Sequence, residues 1–137
     1  MTAERRALLA ALMAAEAVAF FAGAVLHTGA PVSIGPTEVR EPRIVPAVIV
    51  ESACGLALAV GACGLAFDRF WSRRGAVAAN TLALAGTALG MVALAFGRGP
   101  RTALNDAFHR GVVLTLLLGL GLLWQSSDAA EAELTTE

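Results

Sequence analysis

The chain has 137 residues, of which 57% are hydrophobic and only 15% charged, and its formal net charge is −1. A soluble domain of this size carries about 25% charged residues, so a water-soluble globular class is excluded, and a mean hydropathy of +0.70 makes this a membrane protein. Near-neutral charge gives no bulk attraction to nucleic acid, and the length leaves room for one domain, residues 1–137.

A bilayer span takes about 20 helical residues. Four apolar runs meet that length, at about 7–29, 44–67, 75–97 and 105–124. They predict an all-α integral membrane four-helix bundle, multi-pass in the cell membrane. The first run follows Arg5 and Arg6, as the core of a signal peptide would. It is longer than the ~7–15 residues of such a core, and a cut after Ala30 would leave Pro31 at the new terminus, so it reads as a retained span. Glu16 and His27 lie inside it. Eleven steps of about 100° make about three full turns, which places both on one helix face, with Phe20 near the same stripe.

Residues 30–43 form a polar loop with prolines at 31, 36 and 42. Val32 to Ile34 and Thr37 to Val39 flank Gly35-Pro36, the pattern of a short hairpin. In the second run Pro46 suits a first helical turn, and Glu51 follows about one turn later. Cys54 and Cys63 fall on opposite faces, about 13 Å apart along the axis, too far for a disulfide. They read as two small buried thiols. The connection "DRFWSRR" is basic and aromatic, an interfacial composition.

Small residues at Ala57, Gly61 and Gly64, and at Gly86-x-x-x-Gly90 in the third run, permit close helix approach in lipid. Packing within one bundle is the preferred reading, with homodimerisation as the alternative. Asn80 lies toward the surface opposite the proline-rich loop. In the fourth run Asn105 and His109 share a face at i, i+4, and Asp106 and Arg110 form a second such pair, expected as a local salt bridge. Asn105 could instead serve as an N-cap. The tail "QSSDAAEAELTTE" is acidic and reads as frayed.

Ionisable residues within a span face the bundle interior, a partner or a water-filled cavity. His27 ends the first helix, Glu51 starts the second, and His109 lies early in the fourth. At about 1.5 Å per residue, all three fall within about 8 Å of the surface that carries the proline-rich loop. Glu16 lies about 20 Å from that end, near the midplane, as a candidate floor. At that depth its carboxyl requires a proton or a hydrogen-bond partner. The candidate ligand-binding set is therefore Glu16, His27, Glu51, Asn105 and His109. Three readings compete: a polar head or quinone-like ring held by these groups, a metal held by His27, Glu51 and His109, or a purely structural polar network. No tight metal motif such as HxxxH is present, and the sequence identifies no cofactor.

The stretch "VESACGLALAVGACGLAFDRFWSRRGAVAAN", residues 50–80, resembles the DoxX-like group of small four-helix membrane proteins. Glu51, Gly55 and Gly61 carry the resemblance. It implies four spans with a glutamate early in the second. Some members of that group are linked to quinone-coupled sulfur oxidation or to redox partner complexes. The stretch "LNDAFHR" lies outside that pattern.

The preferred function is of an accessory or binding type: a polar site near the outer surface for a lipid-like or quinone-like ligand, or for a membrane-protein partner or second copy. A membrane oxidoreductase component using a quinone or a metal is one alternative, and a structural subunit of a larger complex is another. No P-loop, nucleophile elbow, GxGxxG or paired redox cysteines occur. Four spans leave little room for an inverted-repeat transport pathway. Arg5, Arg6, Arg69, Arg73 and Arg74 fall on one side, and Arg40, Arg43, Arg98, Arg101 and Arg110 on the other. The tighter cluster around Trp71 puts both termini in the cytoplasm. A membrane-impermeant maleimide added to intact cells should therefore label Ser33→Cys, in a background lacking Cys54 and Cys63. Labelling only after permeabilisation would reverse the orientation.

Overall fold

A computed structural model describes residues 1–134 of the chain. Among them the elements run α1 (Ala3–Leu26), β1 (Val32–Ile34), β2 (Thr37–Val39), α2 (Val45–Ala66), α3 (Ser72–Ala95) and α4 (Ala103–Leu134). Each helix is long and apolar enough to cross a membrane, α4 through Ala103–Gln125. The fold is thus the expected all-α four-helix bundle, with the expected hairpin in the first loop.

Local chemistry explains the boundaries. Thr2 caps α1 by accepting from the Arg5 amide at 3.3 Å, and Gly29, at φ +83°, turns the chain out of the helix. Pro46 stands in the first turn of α2, where no amide hydrogen is needed. Thr102 caps α4, its Oγ1 accepting from the Asn105 amide at 3.1 Å. The expected fourth span, about 105–124, matches Ala103–Gln125, and the helix continues beyond it to Leu134. Ala and Glu, which dominate 129–133, are strong helix formers. The last three residues of the tail lie outside the described residues.

Contacts across the bundle fix an up-down-up-down ring in which α1 packs on α2, α2 on α3, α3 on α4 and α4 on α1. At one end the Arg5 guanidinium donates to the Leu122 carbonyl at 2.8 Å, joining the start of α1 to the last part of α4. Arg6 pairs with Asp68 in the α2–α3 turn at 2.9 Å. At the hairpin end, the Ile44 amide donates to the His27 carbonyl at 2.9 Å. There too the Thr102 hydroxyl donates to the Glu41 carboxylate at 2.8 Å. Leu9, Met13, Phe20, Leu58, Leu65, Leu116 and Leu123 fill the core between these ends.

Lipid tails are as apolar as leucine, so close contact rather than expulsion from water must hold such helices together. The glycines supply it. A Cβ on Gly86 would stand 2.9 Å from Cys54 Sγ and 3.0 Å from Val50 Cγ1, so α3 seats directly on α2 there. A Cβ on Gly90 would stand 3.1 Å from His109 Nε2, so the next turn of α3 faces α4. Both glycines of the GxxxG pair are therefore used within one chain, as the preferred reading expected. Cys54 and Cys63 do lie on opposite faces, but only Cys54 is buried. Cys63 faces outward, which corrects the expectation of two buried thiols.

Gly86→Val should lower thermal stability by about 1–3 kcal/mol through overpacking against Val50 and Cys54. Gly121→Ala, with nothing within 4 Å of the added methyl, should leave the Tm unchanged or raise it. Thermal unfolding in mild detergent measures both, and equal loss at the two positions would contradict the packing.

Candidate functional site

The hairpin end of the bundle encloses a cavity of about 270 Å³ with walls from all four helices. His27, Glu51, Asn105 and His109 line it together, along with Phe20, Thr87, Gly90, Phe108 and Arg98. Four of the five candidate ligand-binding residues thus converge, at the shared level their helix positions require. About 150 Å³ suffices for benzene. This cavity accommodates a substituted ring, or the head and first carbons of a lipid.

Each polar group in the wall is placed by its helix end. His27 caps the C-terminus of α1, its amide donating to the Gly23 carbonyl. Its Nδ1–H donates to Glu51 Oε2 at 2.8 Å, with both side chains buried. Gly23 permits this approach, since a Cβ there would lie 3.2 Å from Glu51 Oε1 and 3.1 Å from the Phe108 ring. His109 Nδ1 is 2.8 Å from the Asn105 backbone carbonyl. A carbonyl only accepts, so Nδ1 carries the hydrogen, and Nε2 of the neutral ring is an acceptor. Nε2 is turned toward Gly90 on α3. Asn105 is buried and its Oδ1 has no hydrogen-bond partner among the described residues. The N-cap reading of Asn105 is thereby corrected: Thr102 caps α4, and the Asn105 side chain is left for the cavity.

Glu16 is corrected as well. It is buried on the inward face of α1, as its spacing from His27 predicts, but it does not line the cavity. Phe20, one turn nearer the hairpin, meets Phe108 edge to face at 6.3 Å, and these two rings form the floor. Glu16 lies deeper, facing Thr115 of α4. The Thr115 hydroxyl donates to the Val112 carbonyl at 3.0 Å, and neither Glu16 oxygen makes a hydrogen bond among the described residues. Asn80 stays outside the cavity, buried where its Oδ1 faces Gly119 of α4. The expected Asp106–Arg110 pair does not form. Asp106 instead binds Arg101 at 3.1 Å, because Arg101 reaches back from the turn that precedes the helix.

No three His, Cys, Asp or Glu side chains among the described residues come together as a metal-ligand group. Within the trio His27, Glu51 and His109, the first two are bonded to each other and the third is tied to its own helix. A second hollow of about 60 Å³, lined by Met91, Arg101, Asp106 and Arg110, lies against His109. The imidazole is thus a wall shared by the two spaces. Sequence reasoning missed Phe108, Arg98 and Gly90 as wall residues, and it missed buried Glu41. Phe108 had a usable signal, one residue before His109 and inward beside Asn105. Glu41 had none, since nothing in a polar loop marks which carboxylate a distant cap will claim.

Comparison with protein-family models, curated proteins and solved structures returns no match for the chain. The assignment of the site therefore rests on its geometry. Removing one partner of a buried charged pair costs about 3–5 kcal/mol, because the other is left unmet. His27→Ala and Glu51→Ala should each destabilise the protein by that order. The double substitution should cost clearly less than their sum, the signature of direct coupling. Additive losses in denaturation midpoints would show that the 2.8 Å bond contributes nothing.

Proposed function

We propose that this small multi-pass membrane protein binds one hydroxyl-bearing amphiphile in the hairpin-end cavity. The ligand is lipid-like or quinol-like, its head among His27, Glu51, Asn105 and His109 and its apolar part against Val50, Leu89, Ala93 and Leu94. The observation that carries this reading is the unpartnered Asn105 Oδ1 in the wall of a cavity of about 270 Å³. A buried acceptor without a partner costs about 1–3 kcal/mol, and a ligand hydroxyl would recover it. The other polar atoms support the same choice. His109 Nε2 in the neutral ring, and Glu51 as a carboxylate, offer only acceptor sites. A head group that donates fits this wall better than one that only accepts.

On this reading the role is binding or accessory. Glu51, the residue on which the resemblance to DoxX-like proteins centres, stands in the wall, so a quinol-like ring agrees with what that resemblance implies. The orientation inferred from the arginines puts the cavity toward the outer leaflet, from which an amphiphile could enter.

Native mass spectrometry of the full chain in mild detergent tests the proposal. The purified protein should retain a small hydroxylated amphiphile. Asn105→Ala should weaken its retention about five- to tenfold, the worth of one hydrogen bond of about 1 kcal/mol. Ala93→Phe, which fills the apolar side, should abolish retention while keeping the fold. A parent protein that carries no ligand, and that takes up none from a lipid extract, would sink the proposal.

A further inference from the structure

The turn joining α2 to α3, at the end of the bundle opposite the cavity, has a charge balance that the chain does not resolve. Arg69, Arg73 and Arg74 are all exposed. None of the three guanidinium groups has an ion pair or side-chain hydrogen bond among the described residues. The acid in this turn, Asp68, is already paired with Arg6 of α1 at 2.9 Å. Arg5 is likewise committed, to the Leu122 carbonyl and Gln125. The first turn of α3 contains no acidic residue. Arg73 and Arg74 therefore stand at the positive pole of the helix dipole, where cations are disfavoured. Nothing local offsets that cost.

Hydrophobic surface lies beside the charge. Phe67 is 72% exposed and Phe70 is fully exposed. Trp71 has turned the other way: its ring lies 2.7 Å from where a Cβ on Gly64 would be and 2.6 Å from one on Gly75, so it clamps the turn against both helices. The clamp holds the turn that carries three exposed guanidinium groups and two projecting phenyl rings. Guanidinium binds phosphate oxygens in pairs. Trp and Tyr sit at headgroup level through their polar edges, whereas a phenyl ring at the end of a spanning helix has only apolar surface to offer acyl chains. A free phosphate would use only the charges, whereas a phospholipid uses both.

We propose that the α2–α3 turn is a docking site for an anionic phospholipid, with its phosphate at Arg69, Arg73 and Arg74 and its acyl chains against Phe67 and Phe70. This site is independent of the cavity. It gives the arginine cluster a binding role in addition to its effect on orientation.

The test uses the full chain in nanodiscs of mixed phosphatidylglycerol and phosphatidylcholine, with released lipid adducts counted by native mass spectrometry. The parent protein should retain phosphatidylglycerol selectively, and added salt should weaken the selectivity. The triple variant R69Q/R73Q/R74Q should lose it about a hundredfold, from about fivefold for each arginine near an anionic surface. R69K/R73K/R74K, which keeps the charge but loses the paired hydrogen bonds, should keep part of it, and Arg40→Gln, beside the hairpin at the opposite end and outside the cavity wall, all of it. The triple Gln variant should still retain the cavity ligand, which separates this proposal from the binding function above. Equal retention of the two lipids by the parent, or undiminished selectivity in the triple Gln variant, overturns the proposal. So does a preference that appears only after removal of residues 126–137, which would assign the arginines to the acidic tail of the chain itself.

Discussion

A polar group inside a bilayer finds no hydrogen-bond partner in the surrounding lipid tails. The 2.8 Å bond between His27 and Glu51 is where this chain meets that constraint most directly. His27 ends α1 and Glu51 lies in the second turn of α2, so the bond sets how far the two helices slide past each other. A Cβ on Gly23 would stand 3.2 Å from the carboxylate, so a side chain there would press against it. With α1 and α2 in that register, Phe20 lands against Phe108 of α4, and the rings close the cavity from below.

Much of the fold was legible because the forces that set it are periodic. Run length identifies the spans, and the 3.6-residue turn places Glu16, Phe20 and His27 on one face and Asn105 with His109 on another. Distance from the helix ends brings His27, Glu51 and His109 to one level. What was not legible depended on contacts between elements. Glu16 shares the inward face of His27, yet Phe20 and Phe108, meeting edge to face across two helices, separate it from the cavity. Asp106 had two arginines within reach, and a backbone turn rather than sequence spacing decided between Arg101 and Arg110. Asn105 read equally as a cap or a ligand until Thr102 was found to hold the capping position.

The two ends of the bundle contrast in how they treat charge. At the hairpin end, acids are buried and matched: Glu51 by His27, Glu41 by Thr102. At the other end Arg69, Arg73 and Arg74 are exposed, and the neighbouring acid Asp68 is taken up by Arg6 of α1. The apolar core between them contains Glu16, a carboxyl with no hydrogen bond among the described residues. Thr115 faces it, but the hydroxyl there is committed to its own helix.

The cavity draws its walls from all four helices. No pair of helices encloses it, and neither does any three. It is therefore complete only when all four helices have packed together. A molecule held there would bind the finished protein and none of its partly inserted precursors. By mass action it would stabilise the assembled bundle over every less complete arrangement of the helices.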